Sequence, residues 1–525
     1  MKVLVSDPIH EAGIKTLREV AEVEVATGLS EGGLMEKVKD ADALLVRSAT
    51  KVTKEVIDQA KNLKVIGRAG VGVDNINVEA ATERGIAVVN APESSTITVA
   101  EHTMGMILAL ARRIPFADAS VKVGRWEKRK FLGIELRGKT LGIIGLGRIG
   151  SQVAQKSIAF GMHVIAYDPY IPEKTAKKMG VDLVSIDKLV RNSDFVTVHA
   201  PLTERTKGII GRKEIAKMKD GVFLINCARG GIIDEKALYK ALKSGKVAGA
   251  AIDVFEEEPP IDNPLLEMEN VIVTPHLGAS TEEAQRNAST MAVEGVLDVL
   301  QNRAPKYVVN MPVFAPEVLE ELKDYLPLAG KMGRFLIQLI GNRINDVSIT
   351  YCGELSEVDD LGVLTNSILM GLLTPILTGS INLLNAPLVA KKRGIRITEG
   401  KREDAEEYQN MIILNVKTER AEIELKGTMF GGEEARIVGI NGYKVDLVPA
   451  GRILLVKHED RPGMIGAVAS SLGKHKINIG FMQVGRKERG GIQLMVLKVD
   501  QTVPEEVLNL IGSIDGIKEI KSAEL

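Results

Sequence analysis

Three polar residues each follow an apolar, strand-like run: Arg229 after FLINCA, Glu258 after AIDVFEE and His276 after VIVTP. A histidine exchanges a proton near neutral pH and can act as base toward a hydroxyl. A carboxylate on its other ring nitrogen fixes the tautomer and offsets the charge the ring gains. A guanidinium offers a planar fork to a carboxylate and the oxygen beside it. Taken jointly, these are the protein groups needed to draw a hydride and a proton from a hydroxy acid. Taken singly, each has a plainer reading: a structural histidine, a turn in the acidic EEEPP run, a surface arginine. Cys227, two residues before Arg229, reads as a small turn residue lining the cofactor site rather than a nucleophile. The hydride acceptor is legible in LGIIGLGRIG, residues 141–150. An apolar strand turns there on Gly145, Gly147 and Gly150. An amphipathic segment with Ile149, Val153, Ile158 and Phe160 follows, and then the strand HVIAYD, ending at Asp168. Strand, G-x-G-x-x-G turn, helix, strand and terminal acid make up a dinucleotide-binding, Rossmann-type unit. The helix N-terminus faces the pyrophosphate. Asp168 accepts from ribose hydroxyls and repels a 2′-phosphate, so NAD is expected over NADP.

The elements that must position these residues alternate strand and helix from the first residue. KVLVS, ALLVRS, KVIGRAG and IAVVN read as buried parallel strands of a doubly wound α/β layer over 1–98. Their carboxyl ends carry Arg47-Ser48, the loop Arg68-Ala69-Gly70-Val71-Gly72, and Asn90, where such sheets bind ligands. A long apolar helix over 98–112 leads into a second doubly wound layer over 99–284. A helix over 281–300 is expected to return to the first layer, completing it with 285–312. Trp126, in GRWEKRKF, reads as a packing or interface anchor. Residues 317–450 form an α+β section without a Rossmann glycine pattern, and KKRGIR at 391–396 reads as a solvated basic face or an anion site. Residues 452–525 read as a ferredoxin-like βαββαβ unit.

The chain has 525 residues, a length that suits about three domains. A formal net charge of −1 gives no electrostatic reason for nucleic acid or an acidic membrane as partner. Two cysteines, Cys227 and Cys352, make no disulfide framework and there is no C-x-x-C, so no metal site is expected. With no signal-peptide pattern in MKVLVSDPIHEAG, a cytoplasmic protein is expected. The apolar stretch near 361–384 is broken by Asn366, Gly371 and Pro375 and is not expected to span a membrane.

The motifs NAPESSTITVAEH, GLGRIG with Asp168, HAPLT, NCARGG, DVFEEEP and TPHLGAST together resemble the D-isomer-specific 2-hydroxyacid dehydrogenases. The likeness is to their long form, which carries an intervening allosteric substrate-binding domain and a C-terminal ACT domain, and it covers essentially the whole chain. By this resemblance Arg229, Glu258 and His276 are the catalytic set. NAD would contact Val71, Arg148, Ile149, Asp168, Ala200, Cys227, Ala228, Arg229, Asp253, His276, Leu277, Gly278 and Ala279. Substrate would contact Arg47, Ser48, Gly70, Val71, Gly72 and Asn90, with Arg229 and His276. The resemblance implies oxidation of 3-phosphoglycerate to 3-phosphooxypyruvate, the first step of phosphorylated L-serine synthesis, by a homo-oligomer (a dimer or a tetramer). ACT domains commonly bind amino acids at dimer interfaces. His458 and Asp460 in KHEDRPG and Asn478 in KINIG match positions that hold serine in feedback-inhibited relatives, so L-serine is the expected effector. Other readings remain open: a glyoxylate or hydroxypyruvate reductase, or, from another class, an NAD-sensing corepressor-like binding protein.

Overall fold

The computed structural model describes the chain except residues 302, 304, 312–315, 342, 378–380 and 432–433, and the side chains of 316 and 317. The expected end of the first section at 312 thus lies outside the described residues. Among the described residues, four sheets organise the molecule. The first holds five parallel strands in the spatial order Glu22–Val25, Lys2–Val5, Ala43–Val46, Val65–Arg68, Ala87–Val89. Its central strands are buried on both faces, which is why KVLV and ALLV read as continuous apolar runs. The long helix Glu282–Leu300 covers one face, its Ala292, Val293, Val296 and Leu297 packing with Val3, Val5, Leu45 and Val89.

The second sheet holds seven parallel strands in the order Val271–Val273, Val247–Ile252, Val222–Asn226, Phe195–Val198, Thr140–Ile144, His163–Tyr167, Asp182–Leu183. The winding reverses on either side of Thr140–Ile144, and the glycine turn leaves that strand at the switch point, where such sheets bind ligands. In the following helix, Arg148–Ala159, Val153 and Ala154 are buried. Ile158 and Phe160, expected on the apolar face, are instead 37% and 47% exposed, at the C-terminal end of the helix, which stops at Ala159.

The 317–450 section forms a six-stranded sheet. One face is covered by the helices Tyr325–Ile340, Gly362–Leu373 and Ala386–Lys392, whose apolar residues share one core with it. Its strands include Arg396–Arg402, Glu422–Phe430 and Glu434–Ile440. The last unit has the expected order of strands and helices. Its sheet runs Ile479–Arg486, Ile492–Val499, Arg452–Glu459, Ile517–Glu524, all antiparallel. In ILLV, Leu454 and Val456 face the unit's own helices while Ile453 and Leu455 join the core of the preceding section. The two C-terminal units therefore share apolar core.

Contacts also tie the third section to the first. Asn382 Nδ2 donates to the Gly85 carbonyl at 2.8 Å, and Lys392 pairs with Glu83. The basic run is thus partly an inter-unit contact rather than only a solvated face. Trp126 is 84% exposed, beside Val123 and the 86% exposed Leu132, which removes packing within its own chain as its role. Among the described residues no helix is long and apolar enough to cross a membrane.

Gly67, in the strand Val65–Arg68, marks how closely the returning helix approaches. A Cβ there would lie 2.5 Å from Val296 Cγ2 and 2.6 Å from Leu45 Cδ1. Gly67→Ala is expected to lower stability by about 1–3 kcal/mol through overpacking. The measurement is the urea midpoint of the full chain, and an unchanged midpoint would contradict this packing.

Candidate active site

The glycine turn shows a separate physical reason at each position. Gly145 has φ +93°, and a Cβ on it would lie 2.7 Å from the His199 carbonyl oxygen. Gly150 packs helix on strand so closely that a Cβ would meet the Gly145 carbonyl oxygen at 2.0 Å. At Gly147 nothing lies within 4 Å of that position, so the backbone there stands open at the helix N-terminus. A close, open backbone at a helix start suits a pyrophosphate. Asp168 follows its strand as expected, and it also braces the turn: Oδ2 accepts from Leu146 N at 2.8 Å and Oδ1 from Tyr170 N at 2.9 Å. Arg148 opens the helix with Ile149 behind it, and its Nε lies 3.8 Å from Glu93 Oε1. These residues fit NAD.

Arg229, Glu258 and His276 all lie in loops at the carboxyl ends of adjacent parallel strands of the second sheet. His276 Nδ1 and Glu258 Oε2 are 2.8 Å apart. Glu258 Oε1 accepts from Phe255 N at 3.1 Å, which fixes the carboxylate. With Nδ1 engaged, Nε2 is the nitrogen left to exchange a proton. His276 has φ +56°, an uncommon setting for a residue with a side chain. Asp253 holds it there. This carboxylate, 1% exposed, accepts from Thr274 Oγ1 (2.6 Å), Leu277 N (2.7 Å) and Gly278 N (2.8 Å), and His102 Nε2 lies 3.5 Å away. Burial alone would push its carboxyl up. His102, Thr274 and the two amides outweigh burial and hold it below the usual range. Ala279 continues the loop beside the half-exposed Leu277.

Arg229 is set by a residue that sequence reasoning missed. Asn226, 2% exposed, donates through Nδ2 to the Arg229 carbonyl (2.9 Å) and accepts from Ala228 N (3.1 Å). The only signal was a polar residue ending the apolar run FLIN. Arg229 Nη1 donates to the Ala228 carbonyl at 2.8 Å, and Nε donates to Asp74 Oδ2 at 3.1 Å.

The facing lobe presents its own strand ends. Asp7, 2% exposed and also missed, accepts from Arg47 N (2.7 Å), Thr50 N (3.1 Å) and Thr50 Oγ1 (2.7 Å), and so shapes the turn holding Arg47 and Ser48. Asn90 Nδ2 donates to the Val71 carbonyl at 2.5 Å, tying the Gly70–Val71–Gly72 loop. At Gly70 a Cβ would lie 2.3 Å from Arg68 Nη1, and at Gly72 one would lie 2.0 Å from Arg229 Nη2. Burial, with Arg229 and Arg47 nearby, pushes Arg68 down to about 10, which leaves it charged at neutral pH. His199 is pushed down to about 4 by burial and is neutral, and its Nε2 lies 3.0 Å from Thr197 Oγ1. It precedes Ala200 at the end of the strand Phe195–Val198. Among the described residues no group of three or more His, Cys, Asp or Glu is arranged for a metal ion.

The three expected effector residues do not converge within one chain. His458 is 2% exposed, its Nδ1 2.8 Å from the Glu459 carbonyl. Asp460 accepts from Arg486 Nη2 and Gly490 N, each at 2.9 Å. Asn478 donates through Nδ2 to Asp500 at 2.7 Å. Asp460 and Asn478 thus sit at opposite ends of the strand Ile479–Arg486, which has 8 residues and a length of roughly 25 Å.

The glycine turn at a switch point, in a lobe facing a second α/β lobe, defines an NAD-dependent oxidoreductase of the D-isomer-specific 2-hydroxyacid dehydrogenase class. Residues 104–278 match the family model "D-isomer specific 2-hydroxyacid dehydrogenase, NAD binding domain". Residues 321–441 match the D-3-phosphoglycerate dehydrogenase intervening domain, and 452–516 match the ACT domain. A D-3-phosphoglycerate dehydrogenase of Methanocaldococcus jannaschii is 53% identical over 99% of this chain and 99% of that protein. One of Archaeoglobus fulgidus is 49% identical over 100% of each. The solved D-lactate dehydrogenase from Aquifex aeolicus, complexed with NAD and lactic acid, has a TM-score of 0.55 and 32% identity, covering 60% of this chain and 100% of that one. The chain belongs to the D-3-phosphoglycerate dehydrogenase family.

Burial pushes the Cys227 thiol up to about 12, with Asp253 adding to the rise. It is therefore a neutral thiol at physiological pH, as its reading as a turn residue requires. Both cysteines are buried. Iodoacetamide at pH 8 is expected to leave activity intact over an hour and to label neither cysteine by mass spectrometry. Rapid inactivation with label on Cys227 would contradict this.

Proposed function

We propose that this protein oxidises 3-phosphoglycerate to 3-phosphooxypyruvate with NAD, in the first step of phosphorylated L-serine biosynthesis. The observation that carries the chemistry is the 2.8 Å contact between Glu258 and His276 Nδ1. Glu258 holds the tautomer that leaves Nε2 free, and Nε2 takes the C2 hydroxyl proton as the C2 hydride departs. Glu258 then offsets the positive charge on the imidazole. Arg229 binds the substrate carboxylate, and Arg47, Ser48, Asn90 and the loop Gly70–Val71–Gly72 hold the rest, with Arg47 toward the phosphate. Bound NAD supplies the hydride acceptor. Val71, the glycine turn with Arg148 and Ile149, Asp168, Ala200, Cys227, Ala228, Arg229, Asp253 and the loop His276–Ala279 line its place. The relatives' names and their full-length match support the choice of substrate.

Serine regulation belongs to the same reading. Asp460 and Asn478 stand at opposite ends of the ACT sheet, so a serine touching both needs the ACT units of two copies. A homo-oligomer, dimer or tetramer, is accordingly part of the proposal. The exposed apolar residues Val121, Trp126 and Leu132, which line one groove, support it, being the kind of apolar surface that association covers. A cytoplasmic location is proposed from the cysteine usage.

His276→Ala is expected to lower kcat with 3-phosphoglycerate by on the order of 10²–10⁴-fold with NADH affinity retained. The parent protein should prefer 3-phosphoglycerate to glycerate, and NAD to NADP. Equal turnover of glycerate would favour a glyoxylate or hydroxypyruvate reductase, and an active His276→Ala enzyme would remove the imidazole from the chemistry. Millimolar L-serine is expected to slow the parent enzyme and to leave Asn478→Ala unaffected in the same assay. Equal response of the two would remove Asn478 from the effector site.

A further inference from the structure

The cleft contains a carboxylate that the reaction as described does not use. Asp74 stands on the turn after Val73 in the N-terminal lobe, and its Oδ2 accepts from Arg229 Nε on the cofactor lobe at 3.1 Å. Its side chain is 72% exposed, so it supports no core, and an ion pair so exposed adds little to stability. Its backbone, by contrast, is firmly placed. Asn75, the next residue, donates through Nδ2 to the carbonyls of Arg47 (2.9 Å) and Thr50 (2.7 Å) and accepts from Arg68 Nε (3.1 Å). Ile76 then bridges to Val52. The carboxylate is thus held at a defined point on the rim of the substrate lobe.

Arg229 is a group that needs such a partner. Its Nη1 is returned to its own chain at Ala228. Its Nη2 lies over Gly72, where a Cβ would be only 2.0 Å away. With Nε on Asp74 and Nη1 on Ala228, the guanidinium plane has one setting, and Nη2 is the edge left for an anion. The surroundings oppose that setting, because the like charge of Arg68 lies nearby. Without a carboxylate on Nε, a flexible side chain beside another cation would turn toward water.

We infer that Asp74 is a positioning residue for Arg229, fixing the guanidinium across the cleft so that its free edge meets the substrate carboxylate. The inference rests on the proposed role of Arg229 as the ligand of that carboxylate. It also makes the pair a link between the lobes, since each partner belongs to a different one. The opposite assignment is that Asp74 merely occupies the substrate's place on Arg229. The two predict opposite changes in KM.

The experiment uses the full chain with 3-phosphoglycerate and NAD, comparing Asp74→Ala, Asp74→Asn, Arg229→Lys and the double variant Asp74→Ala/Arg229→Lys. Asp74→Ala is expected to raise KM and to lower kcat/KM about fivefold or more, the scale of coupling between directly interacting residues. Asp74→Asn, which keeps an acceptor oxygen, should recover part of the loss. NADH affinity, read by fluorescence, should not change. The Asp74→Ala change should add nothing in the Arg229→Lys background. A KM that falls or stays constant in Asp74→Ala, or losses that add fully in the double variant, would overturn the positioning role. If Arg229→Lys itself leaves kcat/KM unchanged, the reading of Arg229 fails, and the inference about Asp74 fails with it.

Discussion

One buried charge organises the candidate centre. Asp253 has almost no contact with water, and a carboxylate in that position is tolerated only when its oxygens are filled with donors. The donors it collects are Thr274 and the amides of Leu277 and Gly278, which flank His276 on both sides. Satisfying Asp253 therefore sets the backbone of the loop. It is also what sustains a positive φ at His276, a conformation that costs energy for a residue with a side chain. The imidazole then needs only Glu258 to settle its orientation, and Glu258 is itself fixed by the amide of Phe255. A loop held by a buried ion behaves more like core than like surface.

The same principle recurs on each side of the cleft. Asp7 gathers the amides of Arg47 and Thr50, Asn226 brackets Ala228 and Arg229, and Asp168 takes the amide of Leu146. In each case a polar side chain at the end of a parallel strand satisfies the backbone of the loop leaving that strand or a neighbouring one. Parallel sheets bury both faces, so their strand ends are where polar groups can gather. The candidate site residues are thus held by other polar residues at the strand ends.

The two C-terminal units are coupled in a different way. Their sheets share apolar core, with Ile453, Leu455, Leu494 and Val496 packed among residues of the preceding section. Gln338 and Glu524 add paired bonds, Nε2 to carbonyl at 3.0 Å and amide to Oε1 at 2.9 Å. From that body, Asn382 and Lys392 reach Gly85 and Glu83 at the end of the helix Val78–Glu83, the helix that follows the Gly70–Val71–Gly72 loop. A continuous series of contacts connects the ACT sheet to the N-terminal lobe.

The sequence by itself determined the two parallel sheets, the cofactor turn and the order of the last unit. Each of these rests on local patterns: apolar runs of strand length, glycines at a fixed spacing, an acid closing a strand. The candidate catalytic residues were legible for the same reason, since each ends such a run. Tertiary structure alone decided which residues hold them. Nothing local marks Asp253 as the anchor of a loop more than twenty positions away, Asp7 as the brace of Arg47, or Asp74 as the partner of Arg229 in the other lobe. Those pairings join residues up to 155 positions apart in the chain, and only the packing of sheets and lobes brings them within hydrogen-bonding distance. The exposure of Ile158, Phe160 and Trp126 and the separation of Asp460 from Asn478 have the same origin. An apolar or polar side chain states a preference, but where its surroundings stop is settled by how the elements meet.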